Sequence, residues 1–145
     1  MDCTVSIPFV DMLGFELISF DAGEAQMALT LRDELSNSWG VAHGGVTMTL
    51  LDVVMAHAAR SPNQPGVTDT RGVVTIEMKT SFMRPGLGRL LAHGRLLQRT
   101  VSMAFCEASV RDVEGQLIAH ATGTFKYLQG LPAGGRKIRR LNASD

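Results

Sequence analysis

The sequence predicts an α+β domain in which one curved antiparallel sheet wraps around a single long helix. Three observations predict it. The segment Gly45 to Arg60 is apolar on nearly every side, which marks a helix buried by its surroundings and not one lying on a surface. The chain beyond it carries four β-rich stretches separated by short Pro, Gly and Asp turns. The whole chain is 145 residues with 45% hydrophobic and 19% charged residues, enough for one core and too little for two. A helix without a polar face needs cover on most sides, and a curved sheet supplies it economically.

The elements follow in order. Pro8 to Leu13 reads as a helical turn that stops near Gly14. Phe15 to Phe20 and Ala25 to Leu31 read as strands joined through Asp21-Ala22-Gly23-Glu24, a hairpin turn. Arg32 to Ala42 is polar and reads as a loop. The long helix follows, with Arg60 suited to its negative end and Ser61-Pro62 stopping it. Pro62 to Arg71 is a second loop. Val73 to Met83, Arg89 to Arg99, Met103 to Arg111 and Leu117 to Leu128 are then four strands, and their short turns predict an antiparallel meander. Residues 1–130 form the expected domain. Residues 131–145, with the basic run Arg136 to Arg140, form a tail expected to be mobile. Such a sheet has open edges, so a two-fold dimer is expected.

Composition excludes several function classes. Lys and Arg number 14 against 14 Asp and Glu, so the excess charge of a nucleic-acid binder is missing. No apolar run approaches the ~20 residues that span a bilayer. Two Cys and a start without a basic-then-apolar segment point to a reducing, cytoplasmic setting. No ligand set at metal spacing is present, so neither a metal nor another cofactor is expected.

The stretch Asn37-Ser38-Trp39-Gly40-Val41-Ala42-His43-Gly44-Gly45-Val46 leads into the long helix. The first N–H groups of a helix lack internal partners, and glycine lets a ligand approach them. A helix start of this kind suits an anion or a developing oxyanion. A tight turn that simply needs glycine explains the same residues. Asp52 lies between Leu51 and Val53 inside the apolar helix. A carboxylate there must be paired, hydrogen-bonded or open to a cleft. It is either a general base or a structural group bonded to a neighbour such as His57. His43 either holds the turn or acts as an acid. Gly44 and Asp52 are eight residues apart, roughly 12 Å along a helix. If both act on one carbon atom, they belong to different subunits.

Together these pieces resemble the hotdog-fold acyl-CoA thioesterases of the phenylacetate-degradation (PaaI-like) type. The resemblance runs from about Leu13 to Tyr127. It rests on Asn37, His43-Gly44-Gly45, Asp52 in Leu-Leu-Asp, the stretch Val74 to Pro85 with its terminal Arg-Pro, and Gly115 to Ala119. It implies a hotdog fold, a homodimer or homotetramer with sites at the subunit interface, and hydrolysis of aryl or medium-chain acyl-CoA. Asp52 would be the general base, or a nucleophile forming an anhydride. The Gly44 amide would polarise the thioester oxygen, Gly45 would shape the pocket, Asn37 would orient the water or the carbonyl, and Thr75 would assist the water. The acyl group would lie against Met48, Met55, Met78, Phe82 and Met83. Arg71, Lys79, Arg84, Arg99 and the basic tail would suit the phosphates of coenzyme A. Two alternatives stay open: a catalytically silent acyl-CoA-binding protein, and a hotdog hydratase or dehydratase. The hydratase pattern fits less well, because Asn37-Ser38 lacks its proline and His43 precedes Gly-Gly.

Overall fold

The computed structural model describes residues 6–67 and 71–128. The chain opens with helix α1, Pro8–Leu13, started by Pro8 and ended by Gly14 at φ 79°. Strands β1, Glu16–Asp21, and β2, Glu24–Thr30, form the expected hairpin, with Ala22 and Gly23 both at positive φ. The hairpin turn is anchored to the far end of the long helix: the Gly23 N–H donates to Ser61 Oγ at 2.7 Å. A short 3-10 turn at Asp33–Leu35 lies in the loop that follows. Helix α2 spans Gly44–Ala59, one residue earlier at each end than the sequence pattern suggests. Then come β3, Gly72–Phe82, β4, Arg89–Arg99, β5, Met103–Arg111, and β6, Leu117–Leu128.

The six strands form one antiparallel sheet in the order β1-β2-β4-β5-β6-β3. The meander expected over four strands therefore covers only β4 to β6. β3 lies at the far edge, paired with β6 from Gly72↔Leu128 to Phe82↔Ala119. The cause is the connection after it. Residues 83–88 do not turn tightly but cross to the other side, held where the Met83 N–H donates to Ile118 O and the Ala42 N–H to Gly86 O.

α2 lies against one face of the sheet and contacts every strand. Alternation decides which residues meet it. On β5, Ala104, Cys106, Ala108 and Val110 face the helix, while Phe105, Glu107, Ser109 and Arg111 face outward. Leu50, Leu51, Val54, Met55, Leu90 and Phe125 are fully buried at the centre. The helix rides unusually close to β4: a Cβ on Gly94 would lie 2.6 Å from the Val54 carbonyl oxygen, so only glycine fits there. Cys106 is a core residue as its strand pattern suggests, and burial pushes its thiol up to about 12. Residues 131–145 and Cys3 lie outside the described residues. No helix among the described residues is long and apolar enough to cross a membrane.

Candidate active site

α2 and β3 carry the site between them. Gly44, Met48 and Asp52 recur every four residues, so they share one side of the helix. β3 runs past that side in the opposite direction. At one end, Thr75 donates its hydroxyl to Asp52 Oδ1 at 2.7 Å. At the other end, the Phe82 ring lies over Gly44, 3.6 Å from where a Cβ would sit. Met78, on the same face of β3 as Thr75 and Phe82, is half-buried against the core between these ends. An apolar strip, Met48, Met78 and Phe82, thus separates a carboxylate from a helix N-terminus. Ile76 is an extra residue inserted into β3 between Thr75 and Glu77, a bulge that breaks the ladder beside Thr75.

Asp52 is only partly buried. Loss of water around it raises its pKa above the ordinary 3.8, and the Thr75 hydrogen bond opposes that rise. The Asp52–His57 pairing considered from sequence does not occur. His57 lies 2.8 Å from the Val53 carbonyl through Nδ1, and burial pushes it down to about 4. It is a neutral core residue.

The helix start is built by the approach loop. Asn37 Oδ1 accepts the N–H groups of Trp39, at 2.9 Å, and Val41, at 3.3 Å, locking the loop into an Asx-type turn. Its carbonyl oxygen is therefore committed to the backbone, and only its amide N–H groups are left to orient a substrate. The His43 N–H is held by Leu35 O. The His43 ring then caps the helix: Nδ1 accepts from the Gly45 N–H at 2.9 Å. This requires the tautomer with its proton on Nε2. The result is selective. The N–H groups of Val46 and Thr47 reach His43 O, the Gly45 N–H reaches the ring, and the Gly44 N–H has no acceptor among the described residues.

Several expected contacts fall elsewhere. Met55 is wholly buried in the core and lines no slot. Arg71 and Arg99 hold the loop and sheet ends together: both stack on Tyr127, Arg71 donates to Val101 O, and Arg99 donates to Gln64. Lys79 lies on the outer face. Arg84 is exposed in the crossing segment, with Met83 beside it. A groove of about 300 Å³ lined by Glu24, His93, Arg95, Glu107 and His120 lies on the outer face, across the sheet from Asp52. Side chains in it pair across strands, His93 Nε2 with Glu24 and Arg95 with Glu107. No three His, Cys, Asp or Glu converge on a metal position among the described residues.

The thioesterase superfamily model matches residues 40–119, from the approach loop to β6. The chain belongs to the thioesterase superfamily. A medium/long-chain acyl-CoA thioesterase of Salmonella typhimurium, YigI, is 27% identical over 82% of this chain and 84% of its own length. The Escherichia coli PaaI protein from the phenylacetic acid degradation operon has the same fold, with a TM-score of 0.76 at 21% identity, covering 85% of this chain and 86% of PaaI. A Streptococcus mutans protein solved bound to acetyl CoA superposes with a TM-score of 0.70 at 26% identity, covering 85% and 91%. The fold is thus the hotdog fold, and the Escherichia coli acyl-coenzyme A thioesterase PaaI is 32% identical over 51% of this chain and 48% of its own length. The end of the approach loop from Gly40, α2 and β3 lie within the matched residues, whereas Asn37 and Trp39 precede them. Sequence reasoning passed over Trp39, whose signal was available: a large aromatic residue between Asn37 and Gly40, in a segment that ought to be a polar loop.

Proposed function

We propose that this superfamily member hydrolyses acyl-CoA thioesters at two equivalent sites shared across a two-fold dimer. The observation that carries the reading is a pair of groups at opposite ends of one strip that are unspent among the described residues: the Gly44 N–H, and the Asp52 carboxylate, bonded there only to Thr75. They are too far apart to act on one carbonyl within one chain, by roughly 12 Å along the helix. β3 is one of the two sheet edges, the one beside the site, and it carries exposed Ile76 and Phe82. A two-fold axis beside the middle of β3, between the two copies, would pair the two edges and exchange their ends. The Gly44 of one protomer then meets the Asp52 of the other.

Each group has a defined task in that arrangement. The Asp52 carboxylate takes a proton from water as the water oxygen attacks the thioester carbon. The Thr75 hydroxyl donates to Asp52, and its oxygen accepts from the same water. The Gly44 N–H donates to the carbonyl oxygen as it gains charge, aided by the helix dipole. Collapse of the tetrahedral intermediate expels the thiolate of coenzyme A, which leaves without a strong acid, and releases the free acid. His43 acts through geometry: by occupying the Gly45 N–H it leaves Gly44 as the donor. Met48, Met78 and Phe82 line the acyl side. Medium-chain and aryl acyl groups are the substrates expected.

The test is release of free thiol from medium-chain and aryl acyl-CoA without added metal. Asp52→Ala should lower turnover by about 10²- to 10⁴-fold, the usual worth of a general base. Parental rates from this variant, with its fold intact by circular dichroism, would reject Asp52 as the base.

A further inference from the structure

We infer that Trp39 is the platform on which the adenine ring of the coenzyme A carrier stacks, with Arg84 taking one of its phosphates. The inference rests on the acyl-CoA reading above and names a subsite for it. Trp39 is 87% exposed, the most exposed large apolar side chain among the described residues. It is nevertheless not on a loose segment. Its own N–H is bound to Asn37 Oδ1, Gly40 donates back to Asn37 O, and Asn37 and Val41 bond through their backbones. The loop therefore holds a flat apolar ring in water on a fixed backbone, a costly arrangement unless a flat partner covers it.

The position suits the carrier and not the acyl group. The acyl strip of Met48, Met78 and Phe82 runs from Gly44 along β3 toward the Asp52 end. Trp39 lies at the tip of the folded-back loop that leads into Gly44, off the strip, five residues before Gly44 and so within ~17 Å even with the chain extended. A thioester held at Gly44 would send its acyl group one way and its long arm the other. The crossing segment is tied to the same loop through the Ala42 N–H to Gly86 O bond at 2.9 Å. Two residues from that tie, Arg84 is exposed, and its guanidinium has no partner among the described residues. An aromatic face and a cation on two segments pinned together match a base and its phosphate.

Trp39 is the one tryptophan in the chain, so its fluorescence reports this site directly. The protein is titrated with coenzyme A, with 3′-phosphoadenosine 5′-phosphate and with pantetheine, using free tryptophan amide to correct for absorption by adenine. The expected result is an exposed-indole emission in the free protein, quenched by the first two compounds and not by pantetheine. In kinetics, Trp39→Ala should raise KM for an acyl-CoA by about five- to a hundredfold with kcat unchanged, the range expected for one stacked base. The same acyl group on pantetheine should show no change, and Trp39→Phe should recover part of the loss. A blue-shifted emission in the free protein would overturn the inference, because another surface would already cover the ring. Equal loss on both substrates, or no loss on either, would overturn it too. If nucleotide quenching occurs and no acyl-CoA is hydrolysed, the platform stands and the hydrolytic reading fails. If hydrolysis occurs and Trp39→Ala leaves KM for acyl-CoA intact, this inference alone fails.

Discussion

The last turn of α2 and the side of the helix that runs from Gly44 to Asp52 solve the same physical problem in opposite ways. In the last turn the end carbonyls and the His57 ring are held by neighbours. Ala59 O accepts from Tyr127 Oη and Gln64, Ala58 O accepts from Ser61, and His57 is neutral and bonded to Val53 O. Toward the start of the helix, among the described residues, the Gly44 N–H has no acceptor and Met48 stays partly in solvent, and at mid-helix Asp52 keeps one carboxylate oxygen without a partner. Burial shifts both Asp52 and His57 toward their neutral forms, so a displaced pKa alone does not distinguish them. What separates them is access. Asp52 faces an open strip and keeps a hydroxyl partner that can share a water; His57 is packed edge-on against Phe20 with its ring centre 5.6 Å away.

Exchanging each residue for asparagine should separate the two roles most widely. Asp52→Asn should lose about 10²- to 10⁴-fold in kcat. It should also raise the melting temperature at neutral pH. The folded state holds Asp52's proton more tightly than the unfolded state does, so its charge is a burden to the fold above its raised pKa. His57→Asn should show the reverse: near-parental kcat, and a stability loss of about 1–3 kcal/mol from lost packing and a lost hydrogen bond. Urea unfolding and steady-state kinetics on the two variants check this. Comparable losses of kcat in both would erase the distinction.

Acid titration sharpens the same contrast. His57 has its ordinary value of 6.5 lowered to about 4 in the fold, so the unfolded chain takes up the proton first as pH falls. Its contribution to stability is complete above 6.5 and declines toward pH 4, by on the order of 3 kcal/mol. Urea midpoints across that window should fall in the parent and fall less steeply in His57→Asn. The smallest effect concerns Thr75. Thr75→Val removes the hydrogen bond that lowers the Asp52 pKa, so the acid limb of kcat/KM should move to higher pH. Turnover on the plateau should fall by about tenfold, the worth of one hydrogen bond near 1.4 kcal/mol. An acid limb that stays in place would mean that Thr75 does not touch the titrating group.

Local signals made most of the fold legible. Gly14, the Ala22-Gly23 turn and the Asp112–Gly115 turn end their elements within a residue of the sequence expectation, because backbone geometry there is set by the residues themselves. The neighbour of β3 was not legible. Pairing with β6 and not β4 is decided by where a six-residue crossing can be anchored, on Ile118 and Ala42, and no short-range pattern carries that. The same limit applies at the site. Asp52 and the glycines stood out because a charge in an apolar helix and two glycines at its start are locally costly. Thr75 stands out only through the family resemblance, as a group assisting the water, and its bond to Asp52 is visible only in the fold. The distinction between exposed Arg84 and the tied Arg71 and Arg99 depends on Tyr127, far along the chain. The resemblance implies a substrate-facing Asn37, and that its side-chain oxygen also holds the loop depends on how residues 37–41 fold back.

The central claim is that one site takes Gly44 from one chain and Asp52 from the other, and mixing tests it most directly. Two inactive parents, Asp52→Ala and Gly44→Pro, are each first shown to fold and to dimerise. Proline removes the backbone donor itself. They are then mixed and allowed to exchange. In a mixed dimer, one site would join an intact Gly44 N–H to an intact Asp52, and the other would carry both defects. With random exchange about half the dimers are mixed, so activity should return to roughly one quarter of the parental value per chain. Verified mixed dimers that stay inactive would contradict the account.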